Sequence, residues 1–313
     1  MEYAIETVGL SKTYRSGFWM TKFQALSGLN LQVQRGEIFG FLGPNGAGKT
    51  TTIKILTGLQ EPTKGEASLL GMSVRDAQSR HQLGFLPERP YFYTHVSAWE
   101  LLRFYGRLFN LSGTTLEQKI GLLLERVGMI DFASIPLGRY SKGMLQRIGL
   151  CQCLLHEPAV LIFDEPMSGL DPIGRALVRD VILEEREKGR TIFFSSHVLS
   201  DVEAISDRIA ILVRGQLRGV GTVDDFTGGL SKRYECTFCC DEEIVFGEVL
   251  ARRGIMQRIQ VEEQQLFALM ELLQTRGATI EQVLPVKRSL EEVFVDEALK
   301  TETIELKKSG VFV

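Results

Sequence analysis

No stretch of this sequence approaches the ~18 consecutive apolar residues that mark a membrane-spanning helix, and its richest runs are short, such as AVLIF at 159–163. The chain is therefore expected not to cross a bilayer by itself. A secretory leader is not expected either, because the stretch MEYAIETVGL is acidic where a leader is basic and no long apolar core follows. This predicts a cytoplasmic location. Excess positive charge is absent: the formal net charge is −3, which argues against nucleic-acid binding through bulk charge and makes any phosphate binding local. No nucleic-acid partner is expected. Cysteine is scarce, and five residues at 151, 153, 236, 239 and 240 do not form a secreted disulfide framework. Cys236, Cys239 and Cys240 make a CxxCC group without a second CxxC or HxxxH, so strand packing within RYECTFCC is expected over a metal site. Tandem repeats and low-complexity tracts are absent as well.

What is there is an ordinary globular composition, 44% apolar and 24% charged over 313 residues, enough for one large domain or two. From residue 3 to 213 short β-rich runs alternate with helical patterns, the mark of an α/β sheet. Candidate strands are LNLQV at Leu29, EIFGFL at Glu37, LGFL at Leu83, AVLIF at Ala159, TIFFS at Thr191 and RIAILV at Arg208. Between about 90 and 155 the alternation stops, and helical patterns such as SAWELLRFYGRLF and TLEQKIGLLLERVG predict an inserted helical lobe. The Gly- and Ser-containing link TGGLSKR at Thr227 marks a boundary, dividing residues 1–228 from a smaller α+β domain at 229–313. There the pattern predicts a strand at CTFCC, a helix at VFGEVLARRG, a strand at IMQRIQV, a helix at ALMELLQTRG, a strand at IEQVLPV and a final helix at SLEEVFVDEALK.

The sharpest motif is GPNGAGKTT, Gly43 to Thr51, set between the strand EIFGFL and the helical pattern TTIKILTGL. It matches GxxxxGK[ST] in the context the motif requires. Gly43, Gly46 and Gly48 let the backbone, with Asn45 between them, wrap phosphate oxygens so that N–H groups and a helix N-terminus face the negative charge. Lys49 adds a full charge toward the β and γ phosphates, and Thr50 offers a hydroxyl to Mg²⁺ with Thr51 beside it. Alone, the loop specifies a nucleoside triphosphate and leaves kinase, GTPase and ATPase open. The strand AVLIF then runs into Asp164 and Glu165, a pair suited to holding Mg²⁺ through Asp164 and polarising a water through Glu165.

With these motifs in order, the chain resembles the nucleotide-binding subunits of the ABC transporter superfamily, over about residues 3–228. The resemblance implies a P-loop NTPase cassette: a RecA-like α/β core, an antiparallel β subdomain and an inserted helical subdomain. It further implies that Tyr14, in SKTY, stacks on adenine, that His197, in SSHVL, contacts the γ-phosphate, and that ATP and Mg²⁺ are bound. YSKGMLQR at Tyr140 to Arg147 is similar to the family signature; Ser141 and Gly143 are kept and would face an ATP held by the opposite subunit of a homodimer. SGLDP places Asp171 in the segment linking the two sites. Read without the family, SKG is a helix N-cap at Ser141 and SGLDP a turn entering a helix at Pro172, roles that coexist with the others. A bacterial exporter is the group most resembled, which implies a separate integral membrane permease and a peripheral place on the inner face of the membrane. The end of the chain is similar to the accessory domain of antibiotic-resistance exporter ATPases, where such a domain is thought to steady the dimer.

Two departures stand out. Glu88, in LGFLPERP, occupies the place of the family's glutamine, so a carboxylate joins the expected metal ligands Thr50 and Asp164. Lys142 and Met144 replace glycine and glutamine in the signature; Lys142 either approaches phosphate or is a solvated charge. A third feature, Phe18, Trp19 and Met20 in an early loop, is expected to pack under that loop rather than to meet a lipid or partner. The rival reading is a soluble ATPase of the same superfamily acting on ribosomes or DNA. One cassette only, and too short an interval from Thr51 to Tyr140 for a long coiled coil, weigh against it.

Overall fold

The computed structural model describes residues 3–16, 21–227, 233–286 and 290–293. The chain divides into two compact units between Thr222 and Val223. The first unit opens with β1 (Ile5–Ser16), β2 (Thr21–Val33), β3 (Ile38–Leu42), α1 (Lys49–Leu56), β4 (Lys64–Leu69), β5 (Met72–Ser73) and β6 (Leu83–Leu86). It continues with α2 (Ala98–Leu108), α3 (Gly113–Arg126), α4 (Lys142–Leu154), β7 (Val160–Phe163), α5 (Pro172–Glu187) and β8 (Thr191–Ser196). It closes with α6 (Leu199–Ile205), β9 (Arg208–Val213) and β10 (Gln216–Gly221).

Two sheets result. One is antiparallel, in the order β2-β1-β4-β5; the other runs β10-β9-β3-β8-β7-β6, parallel from β9 to β6 with β10 antiparallel at its edge. Strands β3, β7 and β8 are buried along their whole length, which is why IFGFL, VLIF and the IFF of TIFFSS are continuous apolar runs instead of alternating. Phe39 stacks on Phe193 at 5.9 Å and Phe41 meets the same ring at 5.2 Å, filling the layer between the sheets and helices. The expected helical lobe is α2, α3 and α4. Its first helix begins in a reciprocal cap, the Ser97 hydroxyl accepting from the Glu100 amide while the Glu100 carboxylate accepts from the Ser97 amide.

Placement of the site follows from topology. In an open parallel sheet ligands bind beyond the carboxyl ends of the strands. The order β3-β8-β7-β6 sets four such ends side by side, followed respectively by the glycine-rich loop, His197, Asp164 with Glu165, and Glu88.

The second unit begins with α7 (Val223–Thr227), followed by β11 (Arg233–Cys239), β12 (Glu248–Arg253), β13 (Met256–Glu262), α8 (Glu263–Thr275) and β14 (Thr279–Pro285). Its sheet is antiparallel in the order β12-β13-β11-β14, with α8 packed on one face around Cys236, Phe238, Ile259, Val261, Leu269 and Leu273. The helix expected at VFGEVLARRG is a strand instead. Gly247 and Gly254, both at φ 61°, bracket β12, and the turn after it returns the chain into β13, so pairing along this edge overrides the local helical pattern. Cys236 and Cys240 are buried in the cluster packed around α8, and no metal-binding cluster occurs among the described residues. The expected final helix is seen only at residues 290–293; its remainder, most of the 227–233 link, and Phe18, Trp19 and Met20 lie outside the described residues.

One buried charge cluster ties the helical lobe to the core. Glu185, 1% exposed at the end of α5, is surrounded by Arg126 of α3, by Lys188 and by Arg190. Burial alone would push its carboxyl up; the hydrogen bonds from Lys188 and Arg126 and the charges of Arg190 and Arg126 outweigh it and hold the group below the usual glutamate value. Replacing Glu185 by Ala leaves the largely buried Arg190 without this partner and Arg126 with Glu184 alone, and is expected to destabilise the first unit by about 3 kcal/mol. Because the folded-state pKa is depressed, this contribution is present above the unfolded value of about 4.3 and is lost as pH falls through the folded value. Urea midpoints of wild type and variant should differ at pH 7 and converge in acid.

Candidate functional site

Two glycines of the phosphate loop are required by space. A Cβ on Gly43 would lie 2.5 Å from the Leu212 carbonyl oxygen, and Gly48, at φ 109°, would bring one within 2.6 Å of the Ala25 carbonyl. The loop is thus pressed between β2 and β9 and opens into α1, whose first residues are Lys49 and Thr50. Lys49 is buried; its ammonium donates to the Gly43 carbonyl at 2.6 Å and pairs with Glu165 Oε1 at 3.2 Å.

Glu165 is the centre of the arrangement. It adopts the left-handed backbone (φ 50°), which costs a non-glycine residue about 1–2 kcal/mol. Its amide donates to Ser195 Oγ at 2.9 Å, and the same hydroxyl donates to Asp164 Oδ1 at 2.7 Å, so one serine fixes both acids. Glu165 Oε2 lies 2.7 Å from His197 Nδ1; an ionised carboxylate only accepts, so the proton of that imidazole sits on Nδ1. Asp164 is buried, and burial raises its pKa; hydrogen bonds from Ser195 and Thr50 oppose the rise, whereas the charges of Glu165 and Glu88 add to it.

A cleft of about 380 Å³ collects these groups, lined by Asn45, Gly46, Gly48, Lys49, Thr50, Thr51, Glu88, Glu165 and His197 together with Tyr14. Of the other expected residues, Gly43 contributes its carbonyl beneath the loop, and Asp164 sits behind Thr50, Ser195 and Glu165 without lining the cleft. Tyr14 is joined there by Phe23, its directly paired neighbour across β1 and β2.

Ser141, Gly143 and Asp171 do not line that cleft. They meet in a second concavity of about 440 Å³, with Lys142, Met129, Phe132 and Arg147. Ser141 and Asp171 are helix caps there: Ser141 Oγ accepts from the Met144 amide (3.2 Å) at α4, and Asp171 Oδ1 accepts from the Gly174 amide (2.8 Å) at α5, with Pro172 in the first helical position. Lys142 folds its ammonium against Gly169, 2.7 Å from where a Cβ there would stand.

Sequence reasoning missed Ser195 and Phe23. A hydroxyl at the end of an apolar strand, TIFFSS, was the signal for Ser195. Phe23 carried none, because only the β1–β2 register reveals that it stands opposite Tyr14.

The described residues contain no helix long and apolar enough to cross a membrane. Residues 26–168 match the family model of the ABC transporter. The chain is 43% identical over 296 residues to an ABC transporter ATP-binding protein of Synechocystis sp., spanning 93% of this chain and 83% of the relative. It is 39% identical over 222 residues to the bacitracin transport ATP-binding protein of Enterococcus faecalis, covering 69% of this chain and 68% of that one. Among solved structures, an ATP-binding subunit of an ABC transporter superposes with a TM-score of 0.65 at 33% identity, over 71% of this chain and 91% of that one. Phosphate loop, paired acids and fold thus agree with sequence kinship, and the chain belongs to the ABC transporter family as an ATP-binding subunit, an ATPase of the P-loop cassette fold.

Proposed function

We propose that this ATPase works as one of two identical copies that enclose two ATP molecules between them, and that hydrolysis drives a separate integral membrane permease in outward transport. The observation that carries the reading is the separation of the two concavities. The cleft holds a phosphate cradle with an acid poised at its mouth, and the second concavity presents the Ser141 hydroxyl and the Gly143 and Asp171 region with no cradle of its own. Two copies placed head to tail set each cradle against the other's second concavity. The short helices of the lobe would pass the resulting motion to the permease, with the Pro87 to Tyr93 segment as contact, and the second unit would steady the pair.

Within the cradle, Lys49 and the loop amides bind and orient the β and γ phosphates. Tyr14 stacks on the base. Glu165 takes the proton of the attacking water, its carboxylate held between Lys49 and His197. His197 is held beside the γ-phosphate. The residues suit Mg²⁺: Thr50, Asp164 and Glu88 supply only oxygen donors, the donor type this hard cation takes, and Asp164 and Glu88 bring negative charge to match it. When bound, the ion neutralises charge on the phosphates; Glu88 replaces a neutral ligand with a charged one, and turnover is retained. Kinship to a bacitracin transport ATP-binding protein supports the reading of a transport role, with the cargo handled by the permease.

Glu165→Gln removes the base while keeping the side-chain shape, and steady-state ATP hydrolysis is expected to fall by about 10²–10⁴-fold with ATP binding retained. Unchanged hydrolysis would assign the base elsewhere. Ser195→Ala releases both Asp164 and the Glu165 amide; hydrolysis should drop about tenfold or more, and the Mg²⁺ concentration for half-maximal activity should rise.

A further inference from the structure

Tyr14 and Phe23 stand side by side in the cleft, but only Tyr14 is anchored. Its hydroxyl donates to Gln60 Oε1 at 2.6 Å and lies 3.3 Å from Thr51 Oγ1. Phe23, with no polar atom to anchor, is 58% exposed. Gln60 is itself fixed, because its backbone amide donates to the Lys54 carbonyl at 3.0 Å as the chain leaves α1. On β1, Lys12 precedes Tyr14 by two residues and shares its face of the strand. The Lys12 ammonium donates to the Glu61 carbonyl at 2.6 Å and stands 5.4 Å from the centre of the Tyr14 ring.

These contacts tie the tyrosine to both ends of one short helix. Thr51 belongs to the first turn of α1, directly after Lys49 and Thr50 of the cradle, and Gln60 follows its last turn. A ligand that places phosphates at the start of α1 and a flat ring against Tyr14 needs the two at a fixed separation. The two contacts together set that separation: Thr51 Oγ1 stands beside the phenol at the cradle end, and the Gln60 side chain accepts its proton. A phenol without that acceptor regains rotamer freedom, which must then be lost again on binding.

We infer that Gln60 is a positioning residue for nucleotide binding: through its hydrogen bond to the Tyr14 hydroxyl it holds the ring in the plane and at the distance from the cradle that stacking on the base requires. This rests on the reading of Tyr14 as the base-stacking residue. Gln60 does not line the cleft. Its effect therefore appears only for ligands that carry a base, and an acidic side chain, which also accepts from the phenol, replaces it.

Calorimetric titration of the purified full chain with ATP and with inorganic tripolyphosphate, both with Mg²⁺, tests this. Gln60→Leu should weaken ATP by about three- to tenfold, the worth of one preorganised side chain and its hydrogen bond, and leave tripolyphosphate unchanged. Gln60→Glu should bind ATP within about twofold of wild type. Equal weakening for both ligands would mean a disturbed cradle and overturn the inference, as would Gln60→Leu binding ATP like wild type, or Gln60→Glu being as weak as Gln60→Leu. Tyr14→Ala separates the two levels: if it weakens ATP and Gln60→Leu does not, only the positioning role falls. If Tyr14→Ala itself leaves ATP affinity intact, the stacking assignment falls and the positioning role with it.

Discussion

A buried lysine has to be given partners, and the rest of the site is arranged around how Lys49 receives them. Its ammonium is held by the Gly43 carbonyl from its own loop and by Glu165 from the loop after β7, two strands along the sheet. The first contact folds the glycine-rich loop over the start of α1. The second fixes the distance between the phosphate cradle and the acid proposed to activate water. Glu165 meets this demand only with a left-handed backbone, pinned at its amide by Ser195 and at its carboxylate by His197. Strain of about 1–2 kcal/mol at one residue is offset by hydrogen bonds from three others. The ion pair links β3 to β7, with β8 between them supplying Ser195 and the loop of His197.

Much of this was legible in the sequence, for a physical reason. Phosphate cradles require glycines, a lysine and a hydroxyl at fixed spacing on a strand-to-helix turn, so Gly43 to Thr51 announced both chemistry and local structure. The buried parallel strands had to be continuous apolar runs, and β3, β6, β7, β8 and β9 lie where those runs are. The helix cap at Ser141 and the helix start at Pro172 were readable from residue type alone. What escaped depends on register and tertiary pairing. Ser195 acts because it sits beside Asp164 and Glu165 across β7 and β8, and Phe23 because it pairs with Tyr14. Strand β12 escaped for the same reason: VFGEVLARRG has a helical pattern, and pairing with β13 between two left-handed glycines decides otherwise.

The unusual residues of this cassette also gain a place. Glu88 enters the cleft with Thr50 and Glu165, adding a third carboxylate to a region where Asp164 is already burdened by charge. Lys142 lies across Gly169 in the second concavity, next to Ser141 and Asp171. The chain therefore concentrates added negative charge in one concavity and added positive charge in the other. In the proposed head-to-tail pair these two surfaces would face each other, and the opposite charges of the two departures would attract.

The central claim is that the cleft and the second concavity are halves of one site completed by a second copy. Hydrogen exchange on Glu165→Gln with Mg²⁺ and ATP addresses it directly. Amides of residues 141–147, which do not line the ATP cleft, are predicted to become protected together with those of residues 43–51. Protection confined to residues 43–51 at every protein concentration would contradict the account.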